Sequence, residues 1–164
     1  MPVPSRRAAT TFALAALLLL LLPATARATA QPAAPVYTLR NARTGSCLHH
    51  VFGTAQVRLE PCEAVPEQRW ELRVEGAWIN LAAFDPEKDT RGCVAIGDSW
   101  IVNYGQCRVT EAAWSVTGGG HCRFRSGSDL SDDDLYLVET QAGDLGARPD
   151  GTTPSADWLV TEAS

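Results

Sequence analysis

Apolar residues recur along this chain in short runs. "VYTLR", "CLHHV", "AQVRLEPC", "RWELR", "AWINLA", "CVAI", "WIVNYGQC", "AWSV", "CRFR", "LYLVET", "LGARP" and "DWLV" make twelve. Gly, Pro, Asp, Asn or Thr bounds each run, and these residues favour turns. Beyond residue 30 no window carries an apolar stripe at the 3.6-residue helical period. The pattern predicts an all-β protein, with its short strands arranged as a barrel or sandwich.

The first thirty residues follow a different pattern. Arg6 and Arg7 precede an unbroken apolar run of 11 residues, Phe12 to Leu22, and small residues follow in "PATARATAQ". A basic flank, a short apolar run and an Ala-x-Ala site describe a secretory signal peptide over residues 1–30. Cleavage is expected after Ala28 or Ala30. A bilayer span needs ~20 apolar residues, so this run is too short to anchor the chain. Residues 31–164 are expected to form one secreted domain with no membrane span.

Three copies of one unit emerge when the strands are compared. Cys47, Cys62 and Trp70 are spaced by 15 and 8 residues; Cys93, Cys107 and Trp114 by 14 and 7. Tyr136, Asp150 and Trp158 repeat the spacing at 14 and 8 without cysteines. The three tryptophans lie 44 residues apart. The repeats cover roughly 36–76, 77–120 and 121–161, with four strands in each. A repeat at this period marks a supersecondary unit that buries its apolar face against its copies. The spacing pairs Cys47 with Cys62 and Cys93 with Cys107, as suits an exported chain. Cys122 is left over, either as a buried free thiol on "CRFR" or as half of a disulfide to a partner chain.

"YTLRNARTGSCL", "VRLEPCE" and "EQRWEL" together resemble one repeat of the ricin-type (ricin B-like) β-trefoil lectin family. Gln68-Arg69-Trp70 matches that family's Gln-x-Trp signature, and the paired cysteines match its intra-repeat disulfide. The resemblance implies a β-trefoil: six strands closing a barrel, three hairpins capping it, and a pseudo-threefold axis. Trp70, Trp114 and Trp158 would then be equivalent core residues.

The family also implies a function, the binding of galactose-type sugars in one shallow pocket per repeat. An Asp two residues after the first Cys would accept hydrogen bonds from neighbouring hydroxyls. An aromatic ring two residues before the second Cys would cover the apolar face of the sugar. An Asn-Gln pair would fix the carboxylate. In the first repeat these positions hold His49, Glu60 and Glu67-Gln68. In the second they hold Ala95, Gly105 and Glu111-Ala112, with Tyr104 one residue from the ring position. In the third they hold Val138, Arg148 and Ser155-Ala156. The fold signature is kept and most of the sugar chemistry is absent. His49, Glu60, Glu67, Gln68 and Tyr104 are the candidate carbohydrate contacts.

Charge and remaining chemistry narrow the classes further. Arg6, Arg7 and Arg27 fall in the leader, so 11 basic residues stand against 19 acidic ones beyond it, a net charge of −8. Such a chain is poorly suited to nucleic acid, which is bound by phosphate-neutralising cations. His49, His50 and His121 are the only histidines. His49 and His50 would point to opposite faces of a strand and cannot clamp one ion. No nucleophile–base pattern is evident, so neither catalysis nor a metal or other cofactor is expected. "SGSDLSDDDL" carries Asp129, Asp132, Asp133 and Asp134, but not at the spacing of an EF-hand loop. The acidic loop 126–135 reads as a solvated insertion. Two partners follow: a glycan or glycoprotein for a ricin-type module, or a protein chain for a degenerate trefoil acting as a toxin delivery subunit or inhibitor.

Overall fold

The computed structural model describes residues 34–84, 92–107, 109–127 and 134–163. The leader and Asp129, Asp132 and Asp133 of the acidic loop lie outside these residues. The twelve strands foreseen from the apolar runs are present. The first repeat gives β1 (Val36–Asn41), β2 (Cys47–His50), β3 (Val57–Glu60) and β4 (Trp70–Glu75). The second gives β5 (Trp78–Ala83), β6 (Gly92–Ile96), β7 (Val102–Gln106) and β8 (Trp114–Gly118). The third gives β9 (Cys122–Ser126), β10 (Tyr136–Glu139), β11 (Leu145–Arg148) and β12 (Trp158–Glu162).

Six strands pair in a closed ring, β1–β4–β5–β8–β9–β12 and back to β1, all antiparallel. Closure leaves these six strands without a free sheet edge. The other six form the hairpins β2–β3, β6–β7 and β10–β11, each joined to the first strand of its own repeat. The fold is a β-trefoil.

Register makes the threefold relation explicit. Trp70 lies opposite Tyr37 and Ala83, Trp114 opposite Ile79 and Ser126, and Trp158 opposite Cys122 and Asn41. Two residues along the first strand of each repeat, Leu39, Leu81 and Phe124 are fully buried equivalents. Each indole N–H donates to the carbonyl of the inward residue on its own hairpin. The acceptors are Leu48, Val94 and Leu137, at 3.0, 2.9 and 3.0 Å. The tryptophans therefore fill the shared core and tie each hairpin to the barrel. Their polar atoms find partners, as burial of an indole requires.

A short 3-10 turn precedes each tryptophan: Pro66–Gln68, Thr110–Ala112 and Pro154–Ala156. A fourth, Asp98–Trp100, interrupts the β6–β7 hairpin, with Ser99 at φ 58°. Disulfides join Cys47 to Cys62 and Cys93 to Cys107, as the spacing predicts. Cys122 is a free thiol but only half-buried, because it lies at the outer end of the barrel rather than in its middle layer; its Sγ sits 3.6 Å from the Gly119 carbonyl. Asp134, the described aspartate of the acidic loop, pairs with Arg125 at 3.0 Å. No helix among the described residues is long and apolar enough to cross a membrane.

Candidate functional site

The hairpins carry His49, Glu60 and Tyr104, and the 3-10 turn before β4 carries Glu67 and Gln68. Each hairpin has an inner face toward the barrel core and an outer face partly covered by the 3-10 turn of its own repeat, the two set by the two-residue pleat. In the first hairpin, Leu48–Leu59 and His50–Val57 are inner pairs, while Cys47–Glu60 and His49–Arg58 are outer pairs. His49 and His50 thus point to opposite sides, as expected.

The first repeat brings His49 and Glu60 onto one surface, and Arg58 lies between them. Arg58 Nε is 2.7 Å from Glu60 Oε1. The carboxylate at the ring position is therefore engaged by the neighbouring strand residue. His49 is half-buried, and its Nδ1 is buried with no hydrogen-bond partner among the described residues. Glu67 lies half-buried in the 3-10 turn. Gln68 is buried, and its amide is used at both ends. Oε1 accepts from the Glu63 N–H at 2.7 Å and Nε2 donates to the Pro61 carbonyl at 2.8 Å. It pins the 61–63 loop around the disulfide.

The second repeat replaces Gln68 with Ala112 and draws its buried amide from the barrel. The Asn80 side chain, its nitrogen turned toward them, donates to the carbonyls of Cys107 and Ala112 at 2.8 and 2.9 Å. Tyr104 pairs with Val94, the inner position occupied by Leu59 in the first hairpin. One residue along a strand is the opposite face, so Tyr104 turns toward the core and Gly105 takes the outer ring position. Its ring lies 3.8 Å from that of His50, centroid to centroid. A Cβ on Gly92 would fall 2.0 Å from the same ring, so only glycine leaves room there. The tyrosine hydroxyl accepts from the Ala83 N–H at 3.3 Å. Tyr104 therefore joins the first and second hairpins and is not brought together with His49 and Glu60.

Open space lies beside the third repeat. A groove of about 790 Å³ lies along the β10–β11 hairpin, lined by Val138 and Arg148 at the former Asp and ring positions and by Ser155 at the Asn position. Glu139, Asp144 and Asp150 add carboxylates, and Thr140, Thr153 and Ser99 add hydroxyls. Glu139 is only 6% exposed. Thr44 Oγ1 donates to its Oε2 at 2.5 Å, and Arg43 Nη2 lies 3.6 Å from the same oxygen. Glu139 Oε1 has no hydrogen-bond partner among the described residues. Asp150 accepts from the Thr152 hydroxyl and N–H at 2.6 and 2.9 Å, which holds its carboxyl below the usual aspartate value. The motif positions alone could not reveal Glu139. It stands one residue past the former Asp position, and its partners come from the first repeat.

Neither a protein-family model nor a curated protein sequence matches this chain. Solved structures do match in shape. GlcNAcα1-4Gal-releasing endo-β-galactosidase from Clostridium perfringens superposes with a TM-score of 0.67 at 16% identity, over 79% of this chain and 33% of that one. SeviL bound to asialo-GM1 saccharide gives 0.63 at 14% identity, over 80% of this chain and all (100%) of that one. A mosquitocidal holotoxin gives 0.65 at 14% identity, over 79% of this chain and 17% of that one. The chain therefore spans a third or less of the first and third of these proteins and the whole of the second. At these identities the likeness concerns the fold alone, a β-trefoil.

Proposed function

We propose that this domain is an exported, non-catalytic binding module that takes a carbohydrate in the groove of its third repeat. The observation that carries the reading is the groove itself. It runs along the β10–β11 hairpin, beside the position where a ricin-type repeat would hold its sugar, and a buried carboxylate lines it. Hydroxyls at Thr140, Thr153 and Ser155 supply donors and acceptors suited to a polyol. SeviL, with the same fold, was solved with a saccharide bound. The two disulfides accord with an oxidising destination. In the first repeat, Arg58 engages Glu60 and Gln68 commits its amide to the 61–63 loop, so His49, Glu60, Glu67 and Gln68 are the less favoured candidates for that single site.

The test is a glycan array followed by titration calorimetry on the purified chain. Ala142 is exposed at the hairpin turn and lines the groove. Ala142→Trp should fill the groove and abolish binding with the far-ultraviolet spectrum unchanged. Binding that survives this substitution places the ligand elsewhere.

A second reading, docking of a protein chain, draws on the open end of the barrel. Val74 and Val116, on the last strands of the first and second repeats, are 74% and 41% exposed, and Cys122 is a half-buried free thiol. A mosquitocidal holotoxin contains the same fold within a longer chain. Light scattering and a thiol count on secreted material separate the readings, since a free monomer retains one reactive thiol.

A further inference from the structure

The groove of the third repeat has a charge character that a neutral galactose-type ligand does not call for. Its lining holds three carboxylates, Glu139, Asp144 and Asp150, against one guanidinium, Arg148. That guanidinium is partly committed, because Arg148 Nη1 donates to the Ala147 carbonyl at 2.8 Å. Arg43 offsets part of the charge of Glu139, but from the side of Oε2 alone, and it also donates to the Thr140 carbonyl at 3.4 Å. Ionised carboxylates only accept hydrogen bonds. The ligand must therefore be rich in donors, and a negatively charged glycan would meet like charge at close range.

Glu139 makes this a built site rather than an acidic surface. A carboxylate taken almost wholly out of water needs partners for both oxygens. One oxygen has them in Thr44 and Arg43; the other has no protein partner among the described residues and is not fully enclosed, so it is left to water or to a ligand in the groove. Its threefold equivalents are His50 and Ile96, likewise buried, and neither is acidic. The carboxylate thus belongs to this repeat alone. A cationic donor is the partner that satisfies such an oxygen most strongly, through a charge-assisted hydrogen bond.

We infer that the groove of the third repeat selects a sugar bearing a free, unacetylated amine, whose ammonium group is received by Glu139 Oε1 with Asp144 nearby. The inference rests on the carbohydrate reading of the same groove. Asp144 is exposed and would contribute a screened, longer-range attraction. The hydroxyls of Thr153 and Ser155 would receive the remaining sugar hydroxyls. Acetylation of the amine removes its charge and adds bulk, so the N-acetyl sugar should bind like the neutral one or worse.

The experiment compares galactosamine, N-acetylgalactosamine and galactose, and the matching glucose series, by calorimetry or protein-observed NMR on the full chain. At about pH 6 the sugar amine is charged. The amino sugar should bind at least tenfold tighter than its neutral counterpart at low salt, with the preference shrinking as salt is raised. Glu139→Gln should bring the ratio close to unity. Because that substitution also disturbs the contact with Thr44 and Arg43, Asp144→Asn serves beside it, and should reduce the ratio severalfold with no change in Tm. Equal affinity for amino and neutral sugars overturns the inference and leaves the carbohydrate reading standing. Failure of every sugar to bind overturns both. A preference unchanged in both folded variants, or binding of lysine-containing peptides but not amino sugars, also overturns the inference.

Discussion

Gln68 shows how a residue can keep its place in a motif and serve the fold. Both ends of its amide are hydrogen-bonded to the backbone of the 61–63 loop, and the side chain is 2% exposed. Gln68→Ala strands a buried N–H and a carbonyl, which costs about 1–3 kcal/mol. Urea denaturation should show that loss, and glycan affinity should stay within twofold of the parent chain. Asp150 offers a second residue-level check. Its carboxyl is held low first by the Thr152 hydroxyl and then by the Thr152 N–H. A folded-state pKa below the unfolded value means the Asp150 contribution to stability is present above that unfolded value, and is lost as pH falls through the folded one. Thr152→Val removes the larger of the two bonds. In a carboxyl NMR titration it should raise the Asp150 pKa toward the ordinary value of 3.8, whereas no movement would mean the hydroxyl contact does not form.

At the scale of the hairpin, the third repeat solves without a disulfide what the first two solve with one. Cys47 and Cys93 each bind a cysteine about fifteen residues on, a closure worth about 3 kcal/mol in the chain-entropy model. Tyr136 holds the equivalent position, and its ring covers Gly151, where an added Cβ would fall 2.5 Å from ring atoms. Aromatic packing on a glycine thus takes the place of the covalent clasp. Gly151→Ala should destabilise the fold by about 1–3 kcal/mol through overpacking, read as a fall in Tm. The twin loss of Cys93 and Cys107 to Ala should remove about 3 kcal/mol. The strands, tryptophans and disulfides were legible in the sequence because period-two alternation and the 44-residue spacing act locally on each copy. The groove was not. Glu139 depends on Thr44 and Arg43, nearly a hundred residues away, and Tyr104 turned inward because a one-residue offset on a strand reverses the face.

For the whole molecule, threefold architecture and onefold chemistry pull apart. The layer of Leu39, Leu81 and Phe124 and the three indole bonds repeat almost without change, since a closed barrel needs the same filling from each copy. The outer faces of the hairpins carry no such demand and have diverged. Arg58 bonds to Glu60 in the first, Ala95 and Gly105 offer no functional group in the second, and the third has the groove. A trefoil with three equal pockets gains avidity on clustered glycans by making later contacts intramolecular. This one should not. Calorimetry against a soluble ligand should give about one site per chain, and cells or beads coated with that ligand should bind the protein without being cross-linked. Stoichiometry near three, or agglutination by a monomer, would mean that the first and second hairpins bind despite the side chains they now carry.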